Sequence, residues 1–548
     1  MQWPEECVFH TQMHPQQRIW FGARVGLLLT VPLAAVFYAA YRLAGLPFFP
    51  FNLFDWQTRL LPGAALAAGI SSMVHAIRWL NAGNTATTAK MLEQTVAVLE
   101  FLLAGLIAGA AFFLAAVSFR LRRAPIAGLL LGGVLGVAAV SISRSVETAP
   151  TVSPAASALW IVLLFLAWGA SLGWALSHTL PGAAAVPPVP DAPERTDRRR
   201  FMMRLGGAAA LVSIVGSALG KVAGNHGASR LPKEEPWSAR NPLPNANAAV
   251  QPVPGTRAEF TPLAQHYRID INTFPPAIDA ASWRLKITGL LQKPLLWTLD
   301  DLRGRPPMHQ FITLSCISNL VGGDLIGTTR WTGVSLKQLL PELDLLPNAT
   351  HLKIRSADGF YETVALDTIR GDDRVMLTYA WDGLPLAVKH GFPLRIYIPD
   401  RYGMKQPKWI ESIEAIDHWE PGFWVVRGWD REARMKATSA IDAIEANMMI
   451  GRPNAQMRVP IGGFAHAGVR GISRVEIRVD SDPWQPADLR TPLSRQTWVI
   501  WRYDWPLEKG KHTFAVRCFE ADGTPQIAEQ APPDPSGATG IFTRAAMF

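Results

Sequence analysis

The sequence predicts three kinds of structure in order along the chain: an α-helical membrane bundle, a mixed α+β domain and a β-sandwich. Five long apolar stretches lie in the first 180 residues, and short segments of alternating hydrophobicity begin near Tyr267. A chain of 548 residues is too long for one compact core, so several domains are expected. The predicted domains are 1–180, 181–222, 223–260, 261–437 and 438–548.

Five apolar stretches predict a membrane domain of five helices. Each is close to the roughly 20 residues that a spanning helix needs. Glycine and alanine are frequent in them, as in "AGLIAGAAFFLAA" and "AGLLLGGVLGVAAV", and small residues allow helices to pack closely in lipid. The stretches lie near residues 20–43, 60–80, 95–118, 125–143 and 156–178.

A run of arginines precedes a sixth apolar segment, after the Pro/Ala-rich linker "PGAAAVPPVPDAPERTD". The stretch "DRRRFMMRLGGAAALVSIVGSALG" resembles a twin-arginine export signal, with Arg198 and Arg199 as the pair. The alternative is an ordinary basic flank on a sixth helix. Both interpretations place the arginines in the cytoplasm and the chain after about residue 222 outside. With five spans before it, the N-terminus is then also predicted outside.

The chain contains three cysteines and carries a formal net charge of +9. Cys7, Cys316 and Cys518 are too widely spaced for a disulfide framework, and without a CxxC or CxxCH motif neither c-type haem nor a cysteine-rich iron–sulfur cluster is expected. Cys518 alternates with Phe514 and Val516 along a predicted strand, which indicates a core position.

The soluble part divides into two patterns. Residues 223–260 are rich in Pro, Asn, Ala and Gly and predict an extended tether. Strands are predicted at 282–291, 309–316 and 391–403, helices at 297–305 and 333–343, and a hairpin at 351–366 around Asp358-Gly359. The segments 473–480, 497–505 and 512–523 predict strands with turn-rich gaps, which is typical of a β-sandwich.

Four motifs occur in a characteristic order in this soluble part. They are "HYRIDINTFPPAID" (266–279), "TLSC" (313–316), "TTRWTGVSLKQLL" (328–340) and "HGFPLRIYIPDRYGMKQPKWI" (390–410). Together they resemble the sulfite oxidase family of molybdopterin enzymes over about half of the chain. The resemblance implies an immunoglobulin-like dimerisation domain at the C-terminus. The helical front with its twin-arginine-like segment resembles bacterial membrane versions of these enzymes.

The resemblance implies a molybdenum–molybdopterin cofactor. Cys316, the cysteine of "TLSC", would bind molybdenum, a metal that accepts soft sulfur ligands. Gly322 and Gly323 would let the backbone approach the cofactor closely. The residues implied to bind the pterin are Tyr267, Arg268, Asp358, His390, Arg395, Gln406, Pro407 and Lys408.

The loop after the cysteine departs from the family pattern. Sulfite oxidases place arginines there, whereas this chain has Leu320 and Val321. We therefore expect the cofactor site of the family without its sulfite pocket, and an enzyme that transfers an oxygen atom to or from a small substrate on the extracytoplasmic side. Candidate substrate residues are Asn319, Arg330, Phe423 and Arg427.

Three other functions are compatible with the sequence. One is sulfite dehydrogenase proper, and another is a non-catalytic protein that keeps the fold. The third is a membrane haem or quinone redox module, with His75 and His178 as haem ligands and Glu100 within a span. Because both histidines lie at predicted helix ends, we do not expect haem b.

The predicted partners follow from the same interpretation. They are the membrane, an electron-transfer partner from a cytochrome or quinone system, and a second copy bound through the C-terminal domain. No nucleic acid is expected. The predicted location is the inner membrane, crossed several times.

Overall fold

The structure, a computed structural model, describes residues 15–118, 124–146, 152–178, 194–222, 235–446 and 457–548. Chain contacts divide the protein into two compact units. The first comprises Met1–Leu60 and Leu92–Ala228, and the second comprises Leu61–Met91 and Ser229–Phe548. Cys7, parts of both predicted linkers and the side chains of Arg198 and Arg199 lie outside the described residues.

Seven helices make up the described N-terminal part. They are α1 (Pro15–Ala44), α2 (Phe49–Leu60), α3 (Gly63–Trp79), α4 (Thr85–Ser118), α5 (Ala124–Val146), α6 (Pro154–Ser177) and α7 (Glu194–Val222).

Glycines set the helix spacing within the first unit. A Cβ atom on Gly128 of α5 would clash with the backbone of Gly169 on α6, and one on Gly26 of α1 would clash with Gly105 on α4. The indole of Trp168 also donates a hydrogen bond to Thr30 Oγ1 at 3.0 Å. The small residues therefore allow the close packing that the sequence predicts.

Four described helices are long and apolar enough to cross a membrane: α1, α4, α5 and α6. The segment near 60–80, predicted as a span, differs from them. Its helix α3 has 17 residues, and it reaches the length of a span only if it is combined with α2 across a sharp bend. The structure groups α3 and the first turns of α4 with the second unit, whereas the sequence predicts that they belong to the membrane domain.

The second unit contains most of the sheet structure. Its further helices are α8 (Trp237–Arg240), α9 (Leu299–Arg303), α10 (Leu336–Leu343) and α11 (Leu366–Gly371). Its strands are β1 (Leu285–Gly289), β2 (Leu295–Trp297), β3 (Met308–Ser315), β4 (Ile326–Ser335), β5 (His351–Ser356), β6 (Tyr361–Ala365), β7 (Met376–Trp381), β8 (Leu384–Pro385), β9 (Arg395–Tyr397), β10 (Ile410–Ile416), β11 (Thr438–Ile444), β12 (Arg458–His466), β13 (Ile472–Val479), β14 (Gln485–Pro486), β15 (Asp488–Leu489), β16 (Val499–Pro506), β17 (Lys511–Glu520) and β18 (Phe542–Met547).

Two sheets form the middle of this unit. The first has the order β2-β1-β10-β5-β6, with β1 and β10 parallel and the other pairs antiparallel. The second has the order β3-β4-β7-β8, with β9 paired to β7. The apolar faces of α9, α10 and α11 pack into the core that these sheets share. Strand β3 ends at Ser315, and Cys316 therefore lies directly after the C-terminal end of the strand.

The C-terminal strands form two four-stranded sheets, β11-β12-β16-β15 and β14-β13-β17-β18. Side chains from both enclose one core, and Cys518 lies fully buried in it, as predicted. The immunoglobulin-like assignment and the dimer stay predictions.

The described part of the predicted tether, residues 235–260, packs on the second unit instead of extending into solvent. Glu259 forms an ion pair of 2.9 Å with Arg490, and both side chains are buried. Val253 is also buried.

Candidate cofactor-binding site

Cys316 begins the loop that follows β3. Its side chain is 7% exposed, and its Sγ lies 3.1 Å from the Ser318 hydroxyl. The backbone N–H of Cys316 donates to the carbonyl of Leu325 at 2.9 Å, and this hydrogen bond joins the two ends of the loop. Burial raises the pKa of this thiol. A buried sulfur at the end of a strand is suited to a soft metal.

The glycine pair of this loop serves the packing of the loop itself. Gly322 has a φ of +72°, and a Cβ atom there would clash with the ring of Phe542. A Cβ atom on Gly323 would clash with the side chain of Asn319, whose oxygen accepts the N–H of Leu325 at 3.0 Å. Both glycines therefore allow close packing within the loop, and their approach to a cofactor stays a prediction.

The donor pocket is a group of aromatic and basic side chains around Trp331 and Trp381, two members of the buried cluster that also contains Cys316 and Tyr267. The ring of His390 lies 4.9 Å from that of Trp381 and 5.5 Å from that of His266. The Arg395 guanidinium stands over Trp331 at 4.6 Å and over Trp381 at 4.9 Å. Its Nη1 donates to the carbonyl of His390 at 3.1 Å.

Five buried nitrogens in this pocket have no hydrogen-bond partner. They are His266 Nε2, His390 Nε2, Arg395 Nε, Trp331 Nε1 and Trp381 Nε1. Each such atom costs roughly 1–3 kcal/mol when it is buried without a partner. A ligand rich in nitrogen and oxygen would satisfy them.

Basic side chains surround one carboxylate next to this pocket. Asp270 forms ion pairs with Arg268 at 2.6 Å, Lys408 at 3.3 Å and Lys90 at 3.3 Å. These cations hold the pKa of Asp270 far below its ordinary value although burial opposes them. Three cations on one carboxylate leave positive charge for an anion.

Burial weakens the proton affinity of the basic groups themselves. It lowers the pKa of Arg395 to about 9 and the pKa of Lys408 to about 8. It also lowers the pKa of His266 to about 3, and that of His390 well below 6.5. At neutral pH the histidines are therefore neutral, while the arginine and the lysine stay charged.

Three further predicted residues have structural contacts. Asp358 is buried in the β5–β6 turn, accepts the N–H of Phe360 at 3.0 Å and is close enough to Lys408 to raise its pKa. Gln406 donates to the carbonyl of Arg401 at 2.9 Å, and the carbonyl of Pro407 accepts the N–H of Ile396 at 3.1 Å. Gln406 and Pro407 thus hold the turn between β9 and Lys408 in place.

The predicted substrate residues do not all meet at one place. Asn319 stands beside Cys316, but Arg330 lies over Trp237 at 4.8 Å. Arg427 lies over the ring of Phe423 at 3.6 Å and donates to its carbonyl at 2.8 Å. These two arginines therefore have partners of their own.

An open cleft with an empty volume of about 310 Å³ adjoins the loop after Cys316. Asn319, Leu320 and Val321 form one wall, and Lys436 and His466 line another part. His466 is 2% exposed, and neither ring nitrogen has a hydrogen-bond partner. Burial is the main cause that lowers its pKa to about 3, so its ring is neutral.

The residues present fit a molybdenum–pterin cofactor. The fit rests on the buried sulfur of Cys316, the five unpartnered nitrogens and the excess of buried positive charge. Cys316 would bind the metal. His266, His390 and Arg395 would face the pterin, with Arg268 and Lys408 near its phosphate. This arrangement defines a candidate molybdopterin site.

Comparison with known proteins gives the same class. Residues 272–424 match the family described as the oxidoreductase molybdopterin-binding domain. The chain is 28% identical over 303 residues to a sulfite oxidase of Arabidopsis thaliana, covering 46% of this chain and 74% of that protein. It is 25% identical over 355 residues to a nitrate reductase of Hordeum vulgare, covering 53% of this chain and 38% of that protein.

A third relative is the provisionally named protein-methionine-sulfoxide reductase subunit YedZ1 of Azospira oryzae. It is 29% identical over 153 residues, covering 28% of this chain and 56% of that protein. Among solved structures, the sulfane dehydrogenase SoxCD of Paracoccus pantotrophus aligns with a TM-score of 0.47 and 19% identity, over 58% of this chain and 91% of that chain. The chain thus spans between 38% and 74% of the length of the three curated relatives.

The fold, the site and these matches define a molybdopterin-dependent oxidoreductase. Residues 272–424 match the molybdopterin-binding oxidoreductase family, and the chain is similar to a sulfite oxidase over 46% of its length. Its N-terminal apolar helices are compatible with a membrane anchor.

Sequence reasoning missed several residues of this site. His266 and Asp270 stand inside the motif "HYRIDINTFPPAID", so their position next to Tyr267 and Arg268 was an available signal. Lys90 had none, because it lies 180 residues before Asp270 in a region predicted to be membrane.

Proposed function

We propose that this protein is a membrane-anchored molybdenum enzyme that transfers an oxygen atom to or from a small neutral oxide on the extracytoplasmic side. The observation that carries the proposal is the position of Cys316. It lies in the same cluster as the pocket of unpartnered donors, and the residues that follow it line an open cleft. A metal on its sulfur would have cofactor donors and a substrate space within reach.

When bound, the cofactor supplies a metal that changes oxidation level by two electrons as an oxygen atom is exchanged. The chain supplies the surroundings of that metal. Cys316 is kept from bulk water, and Arg395, Arg268 and Lys408 compensate negative charge. The pKa of the buried Tyr267 hydroxyl is raised well above its ordinary value, so this group stays protonated.

The cleft favours a neutral substrate over sulfite. A dianion that leaves water costs several kcal/mol unless positive charge is paired with it. Leu320 and Val321 contribute no charge and His466 is neutral, so among the described lining residues only Lys436 offers a positive charge, which does not balance a dianion. A sulfoxide or an N-oxide needs only hydrogen-bond donors and an apolar wall. The name of the YedZ1 relative refers to a sulfoxide reductase, which supports this substrate class.

The decisive experiment is a comparison of substrates with the purified full-length protein. Steady-state kcat/KM is measured with an artificial dye for sulfite, for neutral S-oxides and for N-oxides. We expect turnover of at least one neutral oxide and poor turnover of sulfite. Sulfite turnover within the roughly 10⁴–10⁸ M⁻¹s⁻¹ of efficient enzymes, with none for the oxides, would reverse the choice.

Sulfite dehydrogenase proper is the second candidate, and Lys436 is the observation in its favour. Its side chain lines the cleft and could pair with an anion. If sulfite is the substrate, Lys436→Met should reduce kcat/KM for sulfite at least tenfold. If a neutral oxide is the substrate, the same variant should change kcat/KM by less than about threefold.

A further inference from the structure

Helix α3 packs one face on the cofactor domain. Ala67 belongs to the same buried cluster as Ile317, the residue after the cysteine ligand. The same face, with Val74 and His75, lines an apolar cavity together with Ser318 and Leu320. At its start, a Cβ atom on Gly63 would clash with the backbone of Arg427, so the contact is between main chains.

The first turns of α4 continue this contact. The N–H of Thr85 donates to the carboxylate of Asp324 at 2.7 Å. Ala86 is buried in the cluster that contains Cys316 and Tyr267. Lys90 donates to the carbonyls of Asp270 and Asn272 at 2.9 and 3.1 Å.

The Lys90 ion pair is part of the charge balance at the cofactor site. The side chains of Lys90 and Asp270 are 9% and 1% exposed, so the pair is poorly screened by water. Lys90 shares the negative charge of Asp270 with Arg268 and Lys408. Without Lys90, that charge would compensate the other two cations more fully, and less positive charge would remain for an anionic cofactor.

We propose that residues 61–91 are an extension of the cofactor domain on its own side of the membrane, and that Lys90 is a positioning residue of the cofactor site. The length of α3 agrees, because 17 residues span about 25 Å at 1.5 Å per residue, less than the roughly 30 Å hydrocarbon core. The assignment of this side as extracytoplasmic rests on the proposed function. The assignment of residues 61–91 and the cofactor domain to the same side does not depend on it.

The proposal changes the topology that the sequence predicts. The crossings between the two parts of the second unit are α4, α5, α6 and α7. Helix α7 has 29 residues with a shorter apolar part, Met203–Ala218, and it is counted as a crossing because the sequence predicts one at the sixth apolar segment. An even number of crossings returns the chain to the same side. With α1 as the one crossing before residue 61, the N-terminus lies in the cytoplasm instead of outside. The arginines at 120–123 and 198–200 stay cytoplasmic, as the positive-inside rule requires.

Cysteine labelling in intact cells tests the shared side. In a Cys7→Ser background, Ala82→Cys or Ser72→Cys marks the segment and Glu529→Cys marks the cofactor domain. All three positions are exposed, whereas Cys316 and Cys518 are buried. A membrane-impermeant maleimide is added before or after lysis. We expect the segment and domain positions to be labelled alike.

Each result has one meaning. Labelling of Glu529→Cys in intact cells, with both segment positions protected until lysis, would overturn the proposal. Protection of all three until lysis would keep the shared side and instead refute the extracytoplasmic placement in the proposed function.

Cofactor content tests Lys90. In full-length Lys90→Met purified from a host that makes the cofactor, we expect molybdenum and pterin content to fall about tenfold, equivalent to about 1.4 kcal/mol of binding. Lys90→Arg should keep most of it. Adding Asp270→Asn to Lys90→Met restores the charge balance and should recover part of the loss.

The matched control is Lys353→Met, which breaks an ion pair with Glu420 on a lysine that is 12% exposed. It should leave the cofactor content unchanged. Wild-type content in Lys90→Met would overturn the role. So would a loss that the double variant does not reduce, together with a lower Tm of the cofactor-free protein, because that pattern is purely structural.

Discussion

Single buried polar atoms carry most of the information about function in this protein. His266, His390 and Arg395 each keep a nitrogen without a partner in a pocket where water cannot reach it. Folded proteins rarely leave such atoms unpaired, so a cluster of them indicates a missing ligand. The motifs predicted His390 and Arg395 through a resemblance. Their position beside the indoles of Trp331 and Trp381 is seen only in the folded structure.

Cys316→Ser should abolish oxygen transfer while it leaves the fold intact. Serine is nearly the same size as cysteine, but its hard oxygen is a poor ligand for a metal that accepts soft sulfur. The measurements are dye-linked activity, molybdenum content and circular dichroism of the purified protein. Cys518→Ser is the control, because that thiol lies in the core of the C-terminal sheets. Wild-type activity in the Cys316 variant would refute the assignment.

Acid should destabilise the protein below about pH 6.5 through its buried histidines. The folded pKa of His266 and of His466 is about 3, below the ordinary 6.5, so the unfolded chain binds more protons between these values. The contribution of these neutral histidines to the free energy of unfolding is therefore fully present above about pH 6.5. It decreases as the pH falls towards 3, by about 1.4 kcal/mol per pH unit for each histidine.

A comparison of the wild type with one variant measures this effect. His466→Gln should flatten the dependence of the free energy of unfolding on pH between 6 and 4, because it removes a titratable group that is buried in the folded state. Equal slopes in the wild type and in His466→Gln would contradict the prediction.

At the scale of elements, local sequence patterns were sufficient for some segments. The hairpin predicted at 351–366 is confirmed as β5 and β6, since Asp358-Gly359 occupies its turn. The helix predicted at 333–343 begins only at Leu336, because strand β4 continues to Ser335. For the segment 60–80, composition predicted a span, but composition cannot show which surface an apolar helix face covers.

Gly322→Ala should destabilise the loop after Cys316. An alanine there must adopt a φ near +72°, which costs about 1–2 kcal/mol, and its Cβ atom would clash with Phe542. We expect the free energy of unfolding to fall by about 2–4 kcal/mol, or the cofactor content to fall at unchanged stability if the loop shifts instead.

A double variant separates the two causes. Phe542→Ala removes the ring, so Gly322→Ala should cost less in that background than in the wild type. The remaining cost is the backbone strain. An equal cost in both backgrounds would show that the ring contact does not matter.

For the whole molecule, the sequence predicted the order of an apolar helical part followed by a sheet-rich molybdopterin domain. Hydropathy and strand periodicity act over short windows, and they are strong here. The sequence could not predict that residues 61–91 join a domain that begins well over a hundred residues later. Contacts such as Lys90 to Asp270 depend on the folded chain and leave no local pattern.

Export of the soluble domain should depend on the arginine pair. A helical bundle can be inserted as an unfolded chain, whereas a domain that needs a cofactor must fold before it crosses. Replacement of Arg198 and Arg199 by lysine should therefore leave α1, α4, α5 and α6 inserted but keep the domain after residue 222 in the cytoplasm. The measurement is digestion of the domain by protease added to spheroplasts.

The control is Arg42→Lys, at the end of α1 and away from the pair. It should leave the domain accessible to protease, as in the wild type. If the double lysine variant is digested as fully as the wild type, the pair acts only as a positive flank that sets the orientation of α7, since lysine keeps the charge. The segment 61–91 gives a second readout, because it belongs to the same unit as the domain after residue 222. If that domain stays in the cytoplasm of the double lysine variant, Ala82→Cys should still be labelled from outside. Helix α3 should then be cleaved more readily by protease, because the domain no longer packs on its apolar face.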